Sequence, residues 1–134
     1  MRSAGINWWA AIGAAFAIYA IGFVIYVGLI PMDRWWAMTG MTDAEKAIAN
    51  SRMALSPIMP ILTALFLGLL FKWGEVGSAA EGMKWAAMVA LGSALPALLY
   101  DWVYGGMSTA KTAIDCAHLL SGHLAAGAIL GRWR

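Results

Sequence analysis

Four stretches of this chain, residues 7–30, 57–72, 84–104 and 111–131, are apolar almost from end to end. Crossing about 30 Å of hydrocarbon takes roughly 20 such residues as helix, each adding about 1.5 Å. Lipid offers no partner for open backbone groups, so a spanning segment must be a helix or part of a closed barrel. None of the four alternates with period two, which excludes a barrel. The expected fold is therefore all-α: an integral membrane four-helix bundle, one domain over residues 1–134. Composition agrees, since hydrophobic residues make up 62% and charged residues 12%, about half the charged share of a soluble domain. So few charges exclude a soluble enzyme, a disordered tail and a coiled coil. The single cysteine, Cys116, excludes a disulfide-stapled module.

Tryptophan placement marks the same boundaries. Trp8 and Trp9 open the first stretch, and Trp35 and Trp36 lie just past it. Trp73 closes the second, Trp85 and Trp102 bracket the third, and Trp133 follows the fourth. An indole at a membrane interface buries its rings and keeps its N–H wet. The apolar run after Arg2 is longer than a signal-peptide core of about 7–15 residues, so it is expected to stay as the first span. With the N-terminus inside, Arg2, Lys72, Lys84, Arg132 and Arg134 share the cytoplasmic side. Arg34, Lys46, Arg52 and Lys111 face the other. That small excess leans toward both termini inside. The net charge of +2 forms no basic stripe, so nucleic acid is not an expected partner.

The longest connection, residues 32–56, carries Thr42-Asp43-Ala44-Glu45, the spacing of a capping box. Ala44, Ala47, Ile48 and Leu55 then recur at helical intervals among polar residues. The pattern predicts a short amphipathic helix over about 43–54, lying at the interface or solvated beside it. Pro57 and Pro60 fall in the first turn of the second span, where a missing N–H costs little. Pro96 falls inside the third span and frees the Gly92 carbonyl, which predicts a kink. Gly127 and Gly131 form a Gly-xxx-Gly pair with His123 one turn earlier, a face suited to close helix packing within the chain or between copies.

Ionisable groups inside spans cost roughly 2.5–3.5 kcal/mol on insertion scales, so each needs an account. Asp101 lies near the end of the third span; Asp115 and His118 lie in the fourth, about 60° apart on a helix. Chain topology puts these residues on the same side as the connection carrying Asp33, Arg34, Asn50 and Arg52. A shared polar cleft follows, with Asp115 and His118 as the titrating pair, Arg52 or Arg34 as charge partner, and Asp101 solvated or paired with Lys111. Within that cleft the pair serves either to lock the bundle, to handle a proton or ligand, or to hold a metal. His123 sits about 140° from His118, so one helix does not bring both histidines to one ion. Tyr19 and Tyr26 read as packing residues with satisfied hydroxyls.

No HExxH, GxSxG, CxxC or phosphate-loop motif occurs, so no catalytic residue, metal or cofactor is expected. The assembled residues resemble a bacterial integral-membrane family, the domain-of-unknown-function group numbered 1761. The resemblance rests on Asn7-Trp8-Trp9, on Trp35, Met38 and Gly40-Met41-Thr42, and on Ile114-Asp115-Cys116-Ala117-His118. It continues through Gly127-Ala128-Ile129-Leu130-Gly131 to Trp133, while Arg132 interrupts the usual apolar ending. The resemblance implies a small four-span bundle and positions for Asn7, Asp115 and His118, and it brings no reaction with it. The leading functional expectation is a non-enzymatic inner-membrane bundle, homo-oligomeric, that binds or passes a small solute, lipid or proton. The alternatives are an accessory subunit beside an unlike membrane partner and a small membrane enzyme acting on lipid.

Overall fold

The computed structural model describes residues 2–3 and 6–133; Arg134, counted above among the cytoplasmic charges, lies outside them. The fold is all-α, with a two-residue strand pairing of Arg2–Ser3 with Ile6–Asn7 ahead of the first helix. Helix α1 covers Trp8–Phe23 and runs on as a π-helical segment, Val24–Leu29. Asn7 caps it, its side chain accepting from the Trp9 and Ala10 amides. Pro31 starts a helix that the sequence patterning leaves unread, α2, Met32–Thr39. Gly40, at φ 66°, ends it in the left-handed conformation that glycine adopts without steric cost.

Helix α3 spans Asp43–Arg52, followed by a 3₁₀ turn at Met53–Leu55. Its capping box closes in both directions: the Thr42 amide donates to Glu45 Oε2 at 2.8 Å, and the Glu45 amide donates back to the Thr42 hydroxyl. The Thr42 hydrogen bonds hold the Glu45 carboxyl below the usual carboxylate range, and Lys46 does the same to Asp43. Helix α4, Ile58–Trp73, has 16 residues, about 24 Å of rise and thus short of a full crossing. It meets the α3 segment at a 45° bend.

Helices α5, Ala79–Val89, and α6, Leu95–Tyr104, are joined by a π-helical segment, Ala90–Ala94, into one run of 26 residues. The run begins at Ala79 rather than near Lys84 because Ser78 caps it, accepting from the Glu81 amide. Pro96 has no N–H to give and crowds the carbonyl four residues back. The chain absorbs this in a widened turn, where the Leu95 N–H reaches back five residues to the Ala90 carbonyl. Helix α7, Thr109–Arg132, has 24 residues. Three runs, Trp8–Leu29, Ala79–Tyr104 and Thr109–Arg132, are long and apolar enough to cross a membrane, and a fourth qualifies if the bent α3–α4 pair counts as one.

Helix α7 lies at the centre, packed chiefly on α5 and α1, with α4 against α1 and α7. The core is unusually fine-grained: Ala10, Ala11, Ala14, Ala64, Ala86 and Ala126 are buried with Leu67, Phe71 and Leu130. Between helices in lipid, attraction comes from close packing and not from water exclusion, so small side chains favour contact. The limit is reached between α5 and α7. A methyl group on Gly127 would lie 2.7 Å from Ala86 Cβ and against the Gly82 backbone, and one on Gly131 would strike Ser78 and Gly82. The Gly-xxx-Gly face is thus spent inside the chain, on the backbone of α5.

Candidate functional site

Asp115 sits in the second turn of α7, between two donors. The Tyr26 hydroxyl, from the π-helical end of α1, donates to Oδ1 at 2.6 Å. The Lys111 ammonium, one turn earlier on α7, donates to Oδ2 at 2.5 Å. Both members of the ion pair are largely shielded, at 15% and 14% side-chain exposure. Lys111 is further enclosed by the Met107 sulfur at 3.5 Å and by the Trp35 ring of α2, whose centroid is 5.0 Å from Nζ. Trp35 also stacks edge-on against Tyr26, with centroids 4.7 Å apart.

Two features set this lysine against the intrinsic preferences of its helix. It lies in the first turn of α7, where the unpaired amide groups present positive potential and disfavour a cation. It also precedes its acidic partner, the less favourable order for an i,i+4 pair. The ion pair and the aromatic cover offset both penalties locally.

His118 approaches from the next turn of α7. Its ring lies edge-on to Tyr26, with centroids 5.1 Å apart and planes at 87°. Its Nε2 is 3.4 Å from the Ile18 carbonyl, a contact in which the ring N–H donates. Gly22 makes the approach possible, because a Cβ there would sit 2.8 Å from Nε2. Tyr26 therefore touches Asp115 and His118 alike, the carboxylate through its hydroxyl and the imidazole through its ring.

The sequence-derived residues divide accordingly. Asp115 and His118 come together around Tyr26. Arg34, Asn50, Arg52 and Asp101 are exposed and, among the described residues, contribute no side-chain hydrogen bond or ion pair to the cluster. The charge partner of Asp115 is Lys111 and neither arginine. A lysine one turn away on the same helix needs no second element to hold it, whereas Arg34 and Arg52 stand on helices that turn their charges outward. For the same reason Lys111 does not pair with Asp101. Tyr26, Lys111, Trp35 and Gly22 are the residues that sequence reasoning omits from the site. The i,i+4 spacing of Lys111 and Asp115 is a signal for one of them; the others depend on how α1 and α2 pack.

His123 stands apart, buried on the α4–α5 side of α7, with Nδ1 2.8 Å from the Leu119 carbonyl. At the other end of the bundle a cleft of about 370 Å³ is lined by Asn7, Phe71, Lys72, Glu75, Leu130 and Trp133, among others. There the Asn7 side chain reaches the Trp133 carbonyl at 3.4 Å.

The chain matches no curated protein and no solved structure. Residues 9–131, nearly its whole length, match the family described as "Protein of unknown function (DUF1761)", and the chain belongs to that family.

Proposed function

We propose that the protein is a multi-pass helix bundle of the bacterial inner membrane, both termini cytoplasmic, which takes up or passes a proton at the Tyr26–Asp115–Lys111–His118 cluster without catalysing a reaction. The observation that carries this reading is the shielded Lys111–Asp115 pair with the Tyr26 hydroxyl on its second oxygen. It lies on a helix long and apolar enough to cross a bilayer, where ionisable groups are expensive and tend to mark ion or proton pathways. Both carboxylate oxygens already hold a protein donor and the side chain is 14% exposed, so a solute would find little of the group open to it. A proton needs only a change in the sense of existing hydrogen bonds. His118, edge-on to the Tyr26 ring, adds a second group able to carry a proton.

The test is proton flux in vesicles containing the purified protein and an entrapped pH-sensitive dye, driven by an imposed membrane potential. Asp115→Asn and His118→Ala should each abolish flux above the empty-vesicle leak while the helical content is retained. Flux in either folded variant equal to that of the unaltered protein refutes the reading.

A further inference from the structure

A second polar constellation lies elsewhere in the bundle, in a groove of about 300 Å³ between α4 and the α5–π segment. Its walls are Leu62, Phe66, Leu67, Leu70, Val89 and Ala94. Three polar residues interrupt them: Thr63 from α4, Ser93 from the π-helical turn, and His123 from α7. None of the three stands at a helix end. The volume is at the lower end of the range for small-molecule sites, about 300–1,000 Å³.

These three residues leave hydrogen-bonding capacity unused. Thr39, Ser51, Thr112 and Ser121 all return their hydroxyl protons to a carbonyl three or four residues back. Among the described residues, the hydroxyls of Thr63, half-buried, and Ser93, exposed at the mouth of the groove, have no such bond and no other partner. His123 is more than nine-tenths buried, at 9% exposure. Its Nδ1 faces a carbonyl, which only accepts, so the proton is on Nδ1 and Nε2 carries a lone pair. That lone pair has no protein donor either. His123 is among the residues that line the groove, and no side-chain nitrogen or oxygen among the described residues is both fully enclosed and without a partner, so Nε2 is not sealed off.

We propose that this groove binds a neutral, membrane-soluble molecule with an apolar body and a hydroxyl head group. His123 Nε2 accepts from the ligand hydroxyl, while Thr63 and Ser93 donate to its oxygen. A charged head is disfavoured because the groove offers no counter-charge, and a plain hydrocarbon leaves all three polar groups unmatched. A quinol and a long-chain or isoprenoid alcohol both carry the required head. The inference does not depend on the proton reading, since none of its residues belongs to the Asp115 cluster.

The experiment is photo-crosslinking of the full-length protein in nanodiscs with a diazirine-bearing hexadecanol. Competitors are unlabelled hexadecanol, decyl-ubiquinol, hexadecane and palmitate. Label should map to residues 62–70, 89–94 or 123 and be displaced by a hydroxyl-bearing competitor, and not by hexadecane or palmitate. Whichever of hexadecanol and decyl-ubiquinol competes at lower concentration identifies the source of the head group. The double variant Thr63→Val/Ser93→Ala, which conserves shape, should weaken competition by about tenfold, the loss of one to two hydrogen bonds. His123→Leu should do the same or more. Displacement by hexadecane as effective as by hexadecanol, or unchanged competition in the folded double variant, overturns the proposal.

Discussion

The Tyr26 hydroxyl and the Asp115 carboxylate, 89 positions apart in sequence, meet at 2.6 Å and join the π-helical end of α1 to the second turn of α7. The same carboxylate holds Lys111, so one acid serves both an inter-helix and an intra-helix partner. Removing either partner leaves a shielded charge with less compensation, and the consequences differ by residue.

Tyr26→Phe deletes one donor to a charged acceptor and should lower stability by about 1.5–3 kcal/mol. Lys111→Met leaves the carboxylate without its counter-charge and should cost more, about 3–5 kcal/mol. The double variant Lys111→Met/Asp115→Leu should be less destabilised than Lys111→Met alone, because no lone charge remains. Unfolding equilibria in mild detergent, read by tryptophan fluorescence, would show this non-additivity; simple additivity would mean that the pair is solvated.

The backbone contact between α5 and α7 yields a second expectation. Gly127→Ala forces the helices apart against Ala86 and Gly82 and should cost about 1–3 kcal/mol or more through overpacking. Gly28→Ala is the control, since nothing lies within 4 Å of a Cβ there. It should be neutral. Thermal aggregation midpoints of the two variants should separate clearly.

Gly22→Ala would bring a methyl group against His118 Nε2 and displace the ring from Ile18 and Tyr26. In the background of His118→Ala the same change should be harmless. A double-mutant cycle on stability should therefore give a coupling of about 0.5–3 kcal/mol, the range for residues in contact. Zero coupling would place the imidazole elsewhere.

Acid should loosen the start of α3. The Glu45 carboxyl is held below its ordinary range by the Thr42 hydrogen bonds. Its contribution to the cap is present above the unfolded-state value and is lost as pH falls through the lowered folded-state value. Hydrogen exchange at the Glu45 amide, which donates to the Thr42 hydroxyl, corrected for the intrinsic pH dependence, should show protection falling as pH drops below the ordinary carboxylate range. Thr42→Ala should remove both the protection and its pH dependence.

Much of this architecture is legible in the sequence because bilayer physics is severe. A run such as 111–131 has few ways to satisfy its backbone, and the Thr42–Glu45 spacing specifies its own reciprocal bonds. Asp115 and His118 are legible as candidates because polar groups in such a run are costly. Their partners are harder to read. Tyr26 lies in a π-helical turn, and one extra residue per turn shifts a side chain off the face that a 3.6-residue period assigns to it. Trp35 reads as an interface anchor because nothing local announces α2. Lys111 was within reach, since its spacing from Asp115 is that of a helix pair. Counting sides of the membrane offers Lys111 to Asp101 and the arginines to Asp115, because topology restricts a residue to a leaflet and not to a neighbour.

The glycine seam between α5 and α7 has a mechanical consequence. With Gly82 against Gly127 and Gly131, no flexible side chain is left at the junction to act as a bearing. A slide of one turn that brings His123 to the place of Gly127 would drive an imidazole into the Gly82 backbone, so in that direction the two rods move as a single lever. Any gating displacement in this molecule must therefore pivot elsewhere, at the helices that meet this pair through longer side chains.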